Sequence, residues 1–315
     1  MFGLLLVILS WLSLIHGNDA LLFGSSRSQR PALFYGCLAT KGNDNDAGHT
    51  EELSVTQAIQ NRYACKAFQR FDEASPNTTE ASVPDPMIVQ KAWECLDLAR
   101  LSPSSFNTQP YRMILVHSAT QKLALSKACL GPNARRVLDA DCTAVFLADK
   151  QVLKTMMTKN TKSNGPPRSF TPFFYITMFS SGYPLPRVVA ATFSFLVRTV
   201  TSCVDLLTRK VFRYPMPTLS SAETWATKQT SLVAMTYMLA CTAHGMATIP
   251  MEGINAAGMR RALGIPRRYA IPLIVATGRP AKPKRVVEDR ERRYPVEDVI
   301  FGDRWNEPFT LLEGK

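Results

Sequence analysis

A chain of 315 residues, 46% of them hydrophobic, is long enough for one α+β domain carrying an insertion. Its formal charge of +12 comes without a long Lys/Arg run, which argues against nucleic-acid binding and suits the holding of small anions. Seven cysteines with no Cys-x-x-Cys pair read as free thiols, and four scattered histidines offer no metal-ligand spacing.

In chain order, Phe2 to Ile15 is an apolar run followed by Gly17-Asn18-Asp19-Ala20, yet no Lys or Arg precedes it and the first cation is Arg27. Residues 21–41 carry Ser and Arg without an acidic residue, as an organelle presequence does. Residues 1–42 are therefore expected to be a targeting presequence or anchor. Reduced cysteines favour mitochondrial import; the alternatives are the secretory pathway or membrane anchoring through residues 2–15, a run short for a span. Residues 43–54 read as a polar linker, and 55–310 as the folded domain.

Asp85 can cap a helix whose first position is Pro86, with Ile88, Ala92, Leu96 and Ala99 at helical spacing. Tyr111 to His117, Thr143 to Ala148 and Ile271 to Thr277 are short β-rich runs suited to a buried sheet. Ser220-Ser221-Ala222-Glu223 spells a capping box for a helix running to His244, and Asn255 to Leu263 reads as another helix, with Glu252 as its initiating carboxylate. Residues 151–218 are rich in aromatics, among them Phe170, Phe173, Phe174 and Tyr175, with few charges before Arg209. Arg198 interrupts the longest run, so a transmembrane span is not expected there, although peripheral membrane attachment competes with internal packing.

Five segments carry chemistry. Leu101 to Tyr111, with Pro103, Ser104, Ser105 and Asn107, offers short donors and acceptors on a backbone held open by two prolines. Arg62 and Lys66 stand two positions either side of Ala64, so an extended segment would close both cations on one phosphate, with Tyr63 beside them. Asn133 and Arg136 precede the second strand; Pro250-Met251-Glu252-Gly253 follows the long helix; Arg292 and Arg293 stand before Tyr294-Pro295. Taken singly, these read equally as polar turns, a solvated basic patch and surface arginines.

Taken in order, they resemble the FMN-dependent nitroreductase family. Ser-Pro-Ser-Ser-x-Asn-x-Gln-Pro is similar to its flavin loop, Arg62-Tyr63-Ala64-Cys65-Lys66-Ala67-Phe68 to its Arg-x-Ser-x-Lys/Arg-x-Phe phosphate motif with Ala64 in the Ser place, and Pro250-Met251-Glu252-Gly253 to its Pro-x-Glu-Gly element. The enlarged insertion, the N-terminal extension and the Met-Glu-Gly element most resemble the trypanosomatid type I (oxygen-insensitive) branch. The resemblance implies an α+β nitroreductase-like fold: a central, mainly antiparallel sheet flanked by helices, in a domain-crossing homodimer with Met235 and Leu239 in its core.

It further implies that Arg62, Tyr63, Ala64, Lys66, Arg292 and Arg293 hold the FMN phosphate end. Asn133 and Arg136 would face the pyrimidine edge, and Pro250 and Met251 would lead to Glu252 and Gly253 at the reactive edge. Pro103, Ser104, Ser105 and Asn107 would come from the other subunit, and residues 151–218 would form a lid or dimer extension. NADH or NADPH would supply hydride, with quinones or nitroaromatic compounds as ping-pong acceptors. The competing expectations are a flavin-storing or sensing protein without turnover and a related FMN reductive dehalogenase.

Overall fold

Two antiparallel central strands, each apolar along nearly its whole length, anchor the molecule. In the computed structural model the described residues are 52–71, 80–152, 195–196, 199, 203, 221–281 and 293–308, all within the unit Thr50–Lys315. The expected presequence, most of the linker and almost all of the 151–218 insertion lie outside the described residues.

The strands are β1 (Tyr111–Val116), β2 (Cys142–Asp149), β3 (Ala247–Met251) and β4 (Tyr269–Gly278), in the spatial order β1-β2-β4-β3 with every pairing antiparallel. The expected strands appear with ends shifted by a residue or two. β3 was read only as a motif.

Both faces of the sheet are covered. Ala144, Phe146, Leu273 and Val275 face one cluster, completed by α2 (Pro86–Ala99) and α5 (Ala222–Ala243); Val145, Leu147, Ile274 and Ile249 face the other, with α3 (Ala119–Ser126), α4 (Asn133–Asp139) and α6 (Ala256–Leu263) around it. A fully two-faced sheet explains why β2 reads as a continuous apolar run rather than an alternating one. Between Phe146 and Ala148 the register with β4 shifts, so Ile271 and Pro272 together oppose Leu147. Pro272 lacks the N–H a regular ladder position would use, and a bulge is where a strand tolerates that.

The helix ends follow local chemistry. Asp85 accepts from the Met87 N–H at 2.9 Å with Pro86 in the first turn, as anticipated. Its own N–H donates to Asp141 Oδ1 at 2.8 Å and its carboxylate meets Arg279 at 3.1 Å, so one cap also binds the start of β2 to the end of β4. α1 (Val55–Asn61) begins with a reciprocal box between Ser54 and Gln57.

The box expected from Ser220 to Glu223 is not the one that forms. Ser221 is the cap, accepting from the Thr224 N–H at 3.1 Å, while Glu223 pairs with Lys150 at 3.5 Å. Asn255, not Glu252, caps α6, its side chain accepting from the N–H groups of Ala257 and Gly258. A short amide at the cap reaches those donors directly, which a Glu three residues earlier does not.

At the far end of β4, a Cβ on Gly278 would stand 2.9 Å from Asp141 Oδ2 and 3.1 Å from the Asp141 nitrogen. The nitrogen is backbone, one residue before β2, and cannot swing away as a side chain can. Gly278→Ala is expected to lose about 1–3 kcal/mol of stability through overpacking, read as a lower urea midpoint at unchanged slope; an unchanged midpoint would contradict the contact.

Candidate functional site

The entry segment leaves α1 at Arg62, whose φ of −65° and ψ of 130° turn the chain extended. It then lies against β3. The Cys65 N–H donates to the Thr248 carbonyl at 3.0 Å and Ala64 bridges Thr248 in parallel sense, while Gln69 and Ala67 pair with Arg279 and Ala281 further on. Alternation along this strand-like stretch buries Cys65 and leaves Arg62 and Ala64 half-buried and Lys66 exposed on the other side. The two cations thus share the side that the motif requires, with Tyr63 partly exposed between them.

β3 shapes the edge beyond them. Pro250 faces Val275, and in an antiparallel ladder bonded pairs alternate with unbonded ones. A proline fits only the unbonded kind, its nitrogen turned to the outer edge of the sheet. Cys65 occupies the Thr248 carbonyl, and past it this edge has no N–H until Glu252.

At Glu252 the chain makes a tight turn fixed through its carbonyls. Glu252 O accepts from the Ile254 N–H at 2.8 Å, and Gly253 O accepts from the Leu130 N–H at 3.0 Å and from Asn133 Nδ2 at 3.2 Å. None of these bonds uses the N–H of Glu252 or Gly253. Asn133 also receives Arg136 Nη1 on its oxygen at 2.7 Å, so the amide is a brace between α4 and the turn as well as a candidate ligand contact. An amide has further donor and acceptor capacity beyond these two bonds. The Arg136 Nε is buried with no partner among the described residues. Met251 is buried in the core, so its side chain does not face this edge and only its backbone can contribute.

The electrostatics link the segments. Burial pushes the Cys65 thiol up, while its hydrogen bonds with the Ala67 carbonyl and Tyr63 and the Arg136 charge pull it the other way. Burial and the Cys65 thiol raise Tyr63. Cys129, paired with Ile254 next to the turn, is pushed up to about 11 by burial. Near neutral pH both thiols stay protonated, which leaves no thiolate nucleophile here. Among the described residues no His/Cys/Asp/Glu cluster could hold a metal ion, and His244 caps α5 beside Glu52 at 3.7 Å.

The Ser-Asn loop is elsewhere. It leads into β1, at the edge opposite β3, about 14 Å away across three strand spacings. There Ser104 Oγ accepts from the Gln109 N–H at 3.0 Å, Asn107 Oδ1 accepts from Gln109 Nε2 at 3.1 Å, and the Ser105 N–H donates to Gln229 Oε1 at 2.9 Å. Asn107 and Gln109 both hold left-handed backbone, with φ of 51° and 47°. Such conformations in residues other than glycine persist where the surroundings impose them, often at ligand sites. Pro103 is exposed beside them.

One chain thus brings together Arg62, Lys66, Asn133, Arg136, Glu252 and Gly253, and does not bring Ser104, Ser105 and Asn107 to them. Arg293 is exposed in a segment whose backbone bonds include Gly302 N–H to the Glu307 carbonyl at 2.8 Å; Arg292 lies outside the described residues. Gln229 belongs to none of the sequence motifs.

The nitroreductase family model matches residues 83–279, well over half of the chain. The chain belongs to the nitroreductase family. An NADH dehydrogenase of Thermus thermophilus is similar to it, 24% identical over 208 residues that cover 66% of this chain and 82% of that one. Among solved structures, an NAD(P)H:FMN oxidoreductase by name, from Staphylococcus epidermidis, aligns with a TM-score of 0.50 at 18% identity, covering 80% of this chain and 97% of that chain. The fold is nitroreductase-like, and the protein is an oxidoreductase. The matched stretch contains the loop, Asn133, Arg136 and the Glu252–Gly253 turn of this nitroreductase-family chain; Arg62, Lys66 and Arg293 stand outside it.

A Cβ on Gly253 would meet Asn133 Nδ2 at 2.9 Å, and the amide must swing away. Gly253→Ala is expected to break that brace and weaken flavin binding about threefold to tenfold, the worth of one hydrogen bond, in a fluorescence-quenching titration. Wild-type affinity in this variant would remove Asn133 from the site.

Proposed function

We propose that the chain is an FMN-dependent NAD(P)H oxidoreductase that delivers two electrons to quinones and nitroaromatic compounds and works as a homodimer. The observation that carries this reading is the gathering of two cations, an amide–guanidinium pair and a turn fixed through its carbonyls along one edge of β3. When bound, FMN would supply the redox chemistry, two-electron transfer from NADH or NADPH to an acceptor that uses the same place in turn, a ping-pong scheme.

The residues divide the work by position. Arg62 and Lys66 would hold the phosphate, which carries close to two negative charges, with Arg292 and Arg293 adding to the field. Arg136, whose Nε has no acceptor among the described residues, would meet the pyrimidine edge beside Asn133, where a cation stabilises the charge that reduction builds up. The N–H of Glu252 or Gly253 would donate to the reactive edge, and Glu252, exposed and not a cap, need not act as an acid. Ser104, Ser105 and Asn107 would complete the site from a second copy. Trp93 at 57% and Leu98 at 47% exposure on α2, with Leu232 and Met235 on α5, support an interface on that side.

For localisation we propose mitochondrial import through residues 1–42. Among the described residues no helix is long and apolar enough to cross a membrane. The lid or membrane role proposed for residues 151–218 rests on their aromatic composition.

Purified protein should show a flavin spectrum that bleaches on anaerobic addition of NADH or NADPH and recovers with a quinone. Bound flavin that neither nucleotide bleaches would favour storage or sensing instead. Arg62→Ala with Lys66→Ala should lower FMN affinity by at least about 100-fold, since each charge-assisted bond is worth roughly 1.5–3 kcal/mol, while the chain remains folded. Stoichiometric flavin retained through gel filtration by that double variant would place the phosphate elsewhere.

A further inference from the structure

The loop from Ser104 to Gln109 is held by α5 at two points seven residues apart. Ser102, just before the loop, donates its hydroxyl to Ala99 O at 2.7 Å and meets Thr236 Oγ1 at 2.8 Å; Gln229 Oε1 accepts the Ser105 N–H at 2.9 Å. Positions 229 and 236 lie on one face of the helix, so they form a rail along which the loop is laid. Behind it, the Tyr111 hydroxyl donates to the Arg100 carbonyl at 2.7 Å and fixes where the loop enters β1.

Within the loop the remaining bonds are local. Thr108 Oγ1 donates to Ser105 O at 2.9 Å, and Ser104 Oγ and Asn107 Oδ1 both receive groups of Gln109. Those bonds shape the loop, and its far end is tied to β1, where the Gln109 carbonyl accepts from Arg112 Nη1 at 3.3 Å. Two left-handed residues other than glycine stand against relaxation to commoner backbone conformations, so the loop needs an outside tie. Between Ser104 and Asn107, Gln229 provides it.

We propose that Gln229 is a positioning residue for the flavin site: by accepting the Ser105 N–H it sets the direction in which Ser104, Ser105 and Asn107 reach toward the cofactor held by a second copy. This rests on the composite-site reading above. Gln229 itself touches the loop backbone only. Its action is through the hydrogen-bond acceptor, so a side chain of the same reach with an acceptor oxygen should serve and an apolar one should not.

The test compares the full-length wild type with Gln229→Leu and Gln229→Glu, all three residue types being good helix formers, so that α5 is not perturbed. FMN dissociation constants, thermal midpoints and gel-filtration size are measured together. The expected result is an FMN dissociation constant raised about threefold to tenfold in Gln229→Leu, with size and midpoint unchanged, and within about twofold of wild type in Gln229→Glu. Wild-type affinity in Gln229→Leu overturns the positioning role while leaving the flavoprotein reading intact. Equal losses in both variants with a lowered midpoint overturn it in favour of a structural role. A wild-type chain that binds no FMN fails the broader reading, and this inference with it.

Discussion

The backbone bond from Cys65 to the Thr248 carbonyl, together with the missing N–H of Pro250, decides where everything else can sit. The first holds the entry segment against β3 so that Arg62 and Lys66 face outward beside its end. The second stops that pairing from running further along the strand. Had β3 continued as an ordinary edge, the entry segment could have zipped along it and covered the Glu252–Gly253 turn. Among the described residues the β3 edge is paired at Thr248 and not at Pro250, which leaves a ledge between the two cations and the Glu252–Gly253 turn.

The ledge is stiff because its parts brace one another across long sequence separations. Gly253 is joined to α4 through Asn133, whose side-chain oxygen in turn takes Arg136, and the entry segment is joined to β3 through the Cys65 N–H. Placing a guanidinium in a partly buried environment raises its electrostatic weight on whatever occupies the ledge, because screening by water is reduced. The neighbouring thiols add no charge of their own, held protonated by burial. Reactivity must come from a bound group, and the protein's work is to bind, orient and bias it.

Much of this was legible in the sequence where the determinants are local. Asp85 with Pro86, the β-rich runs and the Asn255 helix all follow from neighbours within a few residues. The motifs also named residues that the fold sets beside β3, Arg62 and Lys66 on the entry segment and Glu252 and Gly253 at the turn. Where the signal was ambiguous between adjacent residues, as with Ser220 and Ser221, spacing alone chose the wrong cap. β3 was hidden because a five-residue strand containing proline has little β signature of its own; it exists through its ladder with β4. Met251 looked like a contact from its motif and turned inward because alternation assigns its side chain to the core. The bond from Asn133 to the Gly253 carbonyl and the tie from Gln229 are tertiary bonds across more than a hundred residues, and no local pattern encodes them.

The sheet order carries the central consequence. With the loop entering β1 and the ledge on β3, the two halves of the proposed site stand at opposite edges of one chain, so the proposed composite site would draw its halves from two chains. Mixing subunits tests this directly. A chain altered at Ser104→Ala and Asn107→Ala is co-refolded with one altered at Arg62→Ala and Lys66→Ala, neither of which should hold FMN alone. In the mixed dimer one site unites the intact ledge of the first chain with the intact loop of the second. The account predicts that flavin returns to about a quarter of all sites in a random mixture; no flavin in the mixture, when each parent dimerises, would contradict it.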